Sequence, residues 1–122
     1  MAHNPVGWFE VYVQDMPRAK KFYETVLQLK LTKLDSPMEM WAFPMSMDLP
    51  GASGSLVKIK DVPSGGNSTL VYFSCEDCAV EASRVEASGG RIGREKLSIG
   101  QYGFIALAFD TEGNMFGLHS LK

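Results

Sequence analysis

Glu10 has the clearest chemical potential in the sequence, because it stands on an apolar segment between the aromatic residues Trp8 and Tyr12. A carboxyl group in such a setting is suited to general acid–base catalysis. It is equally suited to hydrogen-bonding a tyrosine or a backbone group, or to lying at a dimer interface. His119 adds an imidazole near the C-terminus, where a half-exposed polar role is the simpler interpretation. The other histidine, His3, is close to the N-terminus, so no Ser-His-Asp arrangement is indicated.

Cys75 and Cys78 have the C-x-x-C spacing of redox sites. The Trp and Pro that are typical of thioredoxin sites are missing, and two cysteines alone do not complete a zinc site. We therefore predict no redox or zinc role for the pair. Two cysteines in a chain without an export signal favour a reducing, cytoplasmic location.

The composition narrows the class of protein. The 122 residues are 45% hydrophobic and 21% charged, with a net charge of −2, as is typical of one globular domain and not of a disordered chain. The pI of about 5.6 and the scattered basic residues argue against a nucleic-acid partner. No apolar run approaches the roughly 20 residues that span a bilayer, so we expect no membrane partner.

The sequence repeats itself at an offset of 62 positions, at which Asp15 recurs as Asp77 (77 − 15 = 62). Each of these aspartates follows an apolar stretch and stands where it would cap a helix. Each half later alternates apolar and other residues, and then reaches a turn, Asp48–Gly51 in the first half and Asp110–Gly113 in the second. One offset fits all of these features without a gap, which indicates two copies of one structural unit.

The pattern within each copy predicts the order βαβββ. We predict one domain, residues 1–122, made of a first module at 6–60, a linker at 61–68 and a second module at 69–121. Neither module buries its own sheet, so the two should pair. The predicted fold is α+β: two tandem βαβββ modules form a curved mixed sheet around a cavity, with the helices on the outer face.

The sequence resembles the vicinal oxygen chelate superfamily, which contains glyoxalase I, extradiol dioxygenases and bleomycin-resistance proteins, and it is most similar to the glyoxalase-related branch. The resemblance covers roughly residues 6 to 120 and is carried by segments 7–15, 22–27, 70–77, 84–90 and 110–118. It implies the same α+β architecture and a homodimer. It does not imply one reaction, because the superfamily hosts several.

The resemblance also implies a divalent metal, held by four side chains from the first and last strands of the two halves. Carried onto this sequence, the four positions are Trp8, Ser55, Leu70 and Gly117. None of them is a His, Glu or Gln, which are the usual ligands. We therefore expect no metal and no other cofactor, although a weak two-ligand site from Glu10 and His119 is an alternative.

Strand alternation extends the same face to further positions. The predicted ligand-binding residues are an aromatic-lined set that contains one acid and one imidazole: Trp8, Glu10, Tyr12, Ser55, Val57, Leu70, Tyr72 and His119. Glu10 is the candidate catalytic residue. The Met-rich stretch 38–47 is predicted either to pack in the core or at a dimer contact, or to form an adaptable pocket wall.

Three functions follow from this sequence. The leading hypothesis is a metal-independent protein, similar in architecture to bleomycin-resistance proteins, that binds a small organic molecule. The second is a glyoxalase-type lyase or isomerase that acts on a small carbonyl compound with Glu10 as base. The third is an interaction module whose cavity is filled by its own side chains.

Overall fold

The computed structural model describes residues 3–65, 68–109, 111 and 114–122. Three residues of the predicted second turn (Asp110, Glu112 and Gly113) and two of the predicted linker (Gly66 and Asn67) therefore lie outside the described residues. The elements, in chain order, are β1 (Val6–Tyr12), α1 (Met16–Leu27), β2 (Thr32–Lys33), β3 (Glu39–Ala42), β4 (Ser53–Lys58), β5 (Thr69–Ser74), α2 (Cys78–Ala82), β6 (Arg91–Ser98), β7 (Phe104–Phe109) and β8 (Met115–Ser120), with 3₁₀ turns at Glu86–Ser88 and Gly100–Tyr102.

The order βαβββ occurs twice, which confirms the predicted α+β fold class. Strands β2, β3, β4 and β1 are neighbours in that order, and strands β5, β8, β7 and β6 are neighbours in that order. The β5–β8 pair is parallel, whereas β2–β3, β3–β4, β6–β7 and β7–β8 are antiparallel. None of the described helices is long and apolar enough to cross a membrane.

The chain divides into two compact units. The first unit is Phe9–Thr69, and the second is Leu70–Lys122 together with the N-terminal segment through Trp8. Strand β1 thus contributes its beginning to the second unit and its end to the first.

In the first unit, α1 begins at the predicted aspartate. Arg18 N donates to Asp15 Oδ1 at 3.0 Å, and Pro17 occupies the first turn, where its missing N–H is not needed. The buried face of α1 centres on Met16, which packs with Leu56 of β4 and with the half-buried Trp41 of β3. The helix therefore covers one face of this unit's strands and leaves the alternate side chains on the other face.

In the second unit, α2 begins in the same way, because Ala79 N donates to Asp77 Oδ1 at 3.0 Å. Cys78 and Ala82 pack against Ala106 and Leu118 of the sheet. Lys96 on β6 donates to the capping carboxylate at 2.8 Å.

A matching hydrogen bond shows that the two copies share a register. Val13 N donates to Val57 O at 2.9 Å in the first unit, and Cys75 N donates to His119 O at 2.7 Å in the second. Donor and acceptor are each displaced by the same offset of 62 positions (75 − 13 and 119 − 57). The pairing of the first and last strands is therefore equivalent in the two copies.

Strand β3 and helix α2 are among the elements that are shorter than the sequence pattern suggests. Strand β3 ends at Ala42 instead of continuing through the alternating residues to position 47. Phe43 N still donates to Gly54 O, but Pro44 has no N–H with which to extend the ladder. Met45 and Met47 are consequently 55% and 92% exposed, so the prediction of core packing is wrong for these two residues.

The second helix ends at Ala82, although its pattern extends to residue 88. Ser83 Oγ donates to Val80 O at 2.6 Å, which offers the backbone an alternative to a continued helix. The following amides, those of Arg84 and Val85, donate to carbonyls three residues back, as in 3₁₀ turns. Gly89, with φ of 96°, then ends the segment in the left-handed conformation that glycine adopts readily.

Candidate functional site

The first unit carries four of the predicted site residues on the sheet face opposite α1. Glu10 and Tyr12 flank Val11, which packs toward the helix, and Ser55 and Val57 flank Leu56, which does the same. Side chains alternate along a strand, so the flanking residues share the other face. Three of the four are buried, since Glu10 is 8% exposed, Val57 1% and Ser55 0%, whereas Tyr12 is half-buried.

Glu10 is engaged by its neighbour on the same strand. Tyr12 Oη donates to Glu10 Oε1 at 2.7 Å, which is a normal length for an O–H···O hydrogen bond. This bond holds the carboxyl group in one orientation. Of the alternatives for Glu10, the structure thus shows the Glu–Tyr hydrogen bond.

Ser55 presents the most unusual group of this face. Its Oγ is buried and has no hydrogen-bond partner in the structure. Leaving a buried hydroxyl unpaired costs about 1–3 kcal/mol. Such a group is uncommon in a native protein and calls for a physical explanation.

Glu10 and Ser55 lie side by side on adjacent strands. In the second unit the register pairs Tyr72 with Gly117. The equivalent hydrogen bond between Val13 N and Val57 O sets the same register in the first unit, and there the corresponding residues are Glu10 and Ser55. The carboxyl group and the unpaired hydroxyl are therefore neighbours on one face.

Two residues that the sequence analysis did not assign to the site share this face. The register of β3 and β4 places Met40 opposite Val57 and Ala42 opposite Ser55. Both are buried, at 8% and 3% exposed. The alternation of the Met-rich stretch was the signal that could have identified them.

In the second unit, three of the remaining predicted residues lie on β5 and β8. Leu70 and Tyr72 are 5% and 7% exposed. His119 is half-buried and pairs with Ser74 in the parallel register. Its Nε2 lies 2.6 Å from Tyr102 O. A carbonyl oxygen only accepts, so this contact is a hydrogen bond in which Nε2–H donates to Tyr102 O. Trp8, the fourth residue, is half-buried on β1.

The four positions at which the resemblance implies metal ligands do not fit a metal. The side chains of Trp8 and Leu70 have no atom that coordinates a metal ion, and Gly117 has no side chain. The space beside Gly117 is taken by the ring of Tyr72. Within the described residues, no group of three His, Cys, Asp or Glu side chains is placed to hold a metal ion. We therefore derive no step through a metal.

The C-x-x-C pair is also poorly suited to chemistry. Burial raises the pKa of Cys75 to about 11, with the carboxylate of Glu81 and the neighbouring Cys78 adding to the effect. Cys78 is fully buried. Because the thiolate is the nucleophile, a raised pKa lowers the reactivity of the Cys75 thiol at neutral pH.

Open grooves lie along α1, away from most of the predicted residues. One, of about 640 Å³, is lined by charged side chains such as Lys20, Lys21 and Glu24. A second, of about 590 Å³, runs between α1 and residues 64–69 and has Tyr12, Arg18 and Phe22 in its wall. Of the eight predicted ligand-binding residues, Tyr12 is the one that lines a groove described here.

Comparison with known proteins agrees with the fold. Similar solved structures include the methylmalonyl-CoA epimerase of Mycobacterium tuberculosis, with a TM-score of 0.71 and 15% identity over 97% of this chain and 88% of that one. A hypothetical protein from Bacillus halodurans C-125 has a TM-score of 0.73 and 13% identity over 96% and 94% of the two chains. The Streptomyces coelicolor methylmalonyl-CoA epimerase in complex with 2-nitronate-propionyl-CoA has a TM-score of 0.70 and 12% identity over 98% of each chain.

Likeness at these identities establishes the fold and not the reaction. No curated protein matches the sequence. A family model does match, over residues 6–118, which is nearly the whole chain and the region that carried the resemblance. The chain belongs to the Glyoxalase/Bleomycin resistance protein/Dioxygenase superfamily.

Proposed function

We propose that this protein binds a small organic molecule without a metal, through the face of the first unit that carries Glu10, Tyr12, Ser55 and Val57. The observation that carries the proposal is the buried, unpaired hydroxyl of Ser55 beside the carboxyl group of Glu10. In the second unit, Trp8, Leu70, Tyr72 and His119 remain predicted ligand-binding residues on the strength of strand alternation.

The energetics favour a binding role for Ser55. An unpaired buried hydroxyl costs about 1–3 kcal/mol of folding stability, and an alanine at the same place would avoid that cost. A serine that pairs with a ligand recovers the cost on binding. Stability that is given up at one residue and regained with a ligand is typical of functional sites.

The neighbouring groups indicate the kind of ligand. Glu10, which accepts from Tyr12, contributes a carboxyl group, and a carboxylate accepts hydrogen bonds from N–H and O–H groups. Ser55 Oγ is able to donate or accept. Val57 and Met40 add apolar surface. A compact molecule with an apolar body and a hydroxyl, amide or amine group matches this set.

A fragment library that contains such compounds tests the proposal. Binding is measured by thermal shift and by titration with amide chemical shifts as the readout. We expect hits whose affinity falls at least about tenfold in Ser55→Ala and in Glu10→Gln, as the loss of one buried hydrogen bond requires.

Ser120→Ala is the matched control, because Ser120 is also buried but belongs to the second unit. Hits that are indifferent to Ser55 and Glu10, or no hits at all, would refute the proposal. The latter result would favour a cavity filled by the protein's own side chains.

A second candidate is an isomerase or lyase that acts on a carbonyl compound with Glu10 as base. The Tyr12–Glu10 hydrogen bond favours it, since a positioned carboxylate beside a phenol is a competent acid–base pair. Two of the similar structures are methylmalonyl-CoA epimerases, so methylmalonyl-CoA is a suitable probe. Exchange of its α-proton in D₂O, followed by NMR, should be lost in Glu10→Gln while affinity changes little. Absence of exchange with the wild-type protein would reject this candidate for that substrate.

We also propose a homodimer and a cytoplasmic location. The exposed apolar side chains Met45, Met47 and Leu49 offer a surface for self-association. The two free cysteines are compatible with a reducing compartment. Light scattering should give twice the chain mass of 13.4 kDa, and Met47→Ser with Leu49→Ser should shift it toward the monomer. Cell fractionation tests the location, since recovery in an exported fraction would contradict it.

A further inference from the structure

We infer that the ring of Tyr72 occupies the space into which a metal-ligating side chain at position 117, on the last strand of the second unit, would project. Gly117 fits beside the ring because it has no side chain. We call this packing of the ring against the glycine the interlock. The inference is independent of the proposed ligand. Tyr72 determines that the second unit excludes a metal-ligating side chain at position 117.

The register brings the two residues directly opposite each other. Tyr72 on β5 pairs with Gly117 on the parallel strand β8. A Cβ at position 117 would lie 2.9 Å from Tyr72 Cγ and closer still to Cδ1 and Cε1 of the same ring. Carbon atoms prefer separations of about 3.5–4.0 Å. Any residue other than glycine therefore overlaps the ring.

The ring has little freedom to move aside. Tyr72 is 7% exposed and therefore surrounded by other atoms. The overlap involves the root of the ring at Cγ, which moves only if the whole side chain changes rotamer. The clash consequently differs from a contact with the far end of a flexible side chain.

The first unit shows the alternative arrangement at equivalent positions. There a glutamate, Glu10, stands where Tyr72 stands, and the last strand carries a serine, Ser55. A flexible carboxylate side chain leaves room for a neighbouring Cβ, whereas the aromatic ring does not. The two copies have therefore diverged: the first unit retains polar side chains at this pair, and the second replaces them with a ring over a glycine.

The interlock has a consequence for specificity. A substitution at position 117 alone introduces a ligand atom only by displacing the ring. A substitution at position 72 alone leaves a void beside a glycine. The second unit thus has a buried aromatic ring in place of a metal-ligating side chain, and a single substitution does not reverse this.

A double-mutant cycle tests the interlock. Gly117→Ala is made in the wild-type protein and in Tyr72→Ala, and melting temperatures are compared. Overpacking typically costs about 1–3 kcal/mol, so we expect Tm to fall by about 10 °C in the wild-type background. In Tyr72→Ala the same substitution should lower Tm by less than about 2 °C, since the overlapping ring is gone.

Gly93→Ala is the control for the general effect on Tm of adding a methyl group at a glycine. The three atoms nearest to a Cβ at Gly93 belong to Phe109 and Leu107, with Phe109 Cε2 at 3.1 Å, so its effect should be the same in both backgrounds. If Gly117→Ala fails to fold, recovery of folding in the double variant supports the interlock, and failure of both overturns it. Tyr72→Leu substitutes for Tyr72→Ala should the latter not fold alone. Equal losses from Gly117→Ala in both backgrounds would also overturn the inference.

Discussion

Ser55→Ala should stabilise the protein in the absence of ligand. Ser55 Oγ is fully buried and unpaired, and removing it eliminates a desolvation cost of about 1–3 kcal/mol. The loss of one oxygen atom from close packing offsets part of this gain. The net expectation is about 1 kcal/mol of added stability, or about 4 °C in Tm for a chain of this size.

Ser120→Ala gives the comparison, because Ser120 is equally buried but fully paired. Its Oγ accepts from Cys78 N at 3.0 Å and donates to Lys122 O at 2.9 Å. Removing it leaves the amide of Cys78 unsatisfied at the start of α2, so stability should fall by about 1–3 kcal/mol. Urea unfolding measures both changes. Parallel losses of stability in the two variants would contradict this expectation, because they would mean that Ser55 also has a partner, such as an internal water.

Three further predictions concern groups with defined partners. The pKa of Asp77 is lowered, first by its hydrogen bond to Lys96. The wild-type protein should therefore be more stable than Asp77→Asn above about pH 3.8, and this difference should vanish as the pH falls below that value. Acid titration monitored by circular dichroism measures the difference. Because burial raises the pKa of Cys75 to about 11, its alkylation by iodoacetamide in the folded protein should keep accelerating up to about pH 11, and a plateau near pH 9 would contradict this. Gln28 ends α1 with φ of 54°, a conformation that glycine adopts more readily. Gln28→Gly should therefore raise the free energy of unfolding by up to about 1 kcal/mol in urea titrations. A lower free energy of unfolding would show that the side-chain hydrogen bond from Gln28 to Thr25 O matters more.

The fold was predictable because the signals are local and occur twice. Asp15 and Asp77 cap their helices as their positions indicated. The offset of 62 that relates them also relates the bonds of Val13 and Cys75 to the last strands. Where prediction failed, a single residue interrupted a pattern, as Pro44 does by ending β3 before the exposed Met45.

The candidate site was predictable in residue type but not in geometry. Alternation assigned Glu10, Tyr12 and Ser55 to one face, and the structure of the first unit agrees with that assignment. The sequence could not show that Tyr12 bonds to Glu10 while Ser55 has no partner, because hydrogen-bond partners depend on register and rotamers. For the same reason, the overlap of Tyr72 with position 117 appears only in three dimensions.

Metal binding by the purified protein distinguishes a metal-independent site from a metal-dependent one. The protein is dialysed and titrated separately with Ni²⁺, Zn²⁺, Mn²⁺ and Fe²⁺, and bound metal and Tm are measured after each titration. Since Trp8, Leu70 and Gly117 supply no ligand atoms and the ring of Tyr72 covers the last of these positions, we expect no stoichiometric metal and no change in Tm. One equivalent of tightly bound metal with a Tm increase of several degrees would contradict the account, because only specific binding to the folded state produces such a shift.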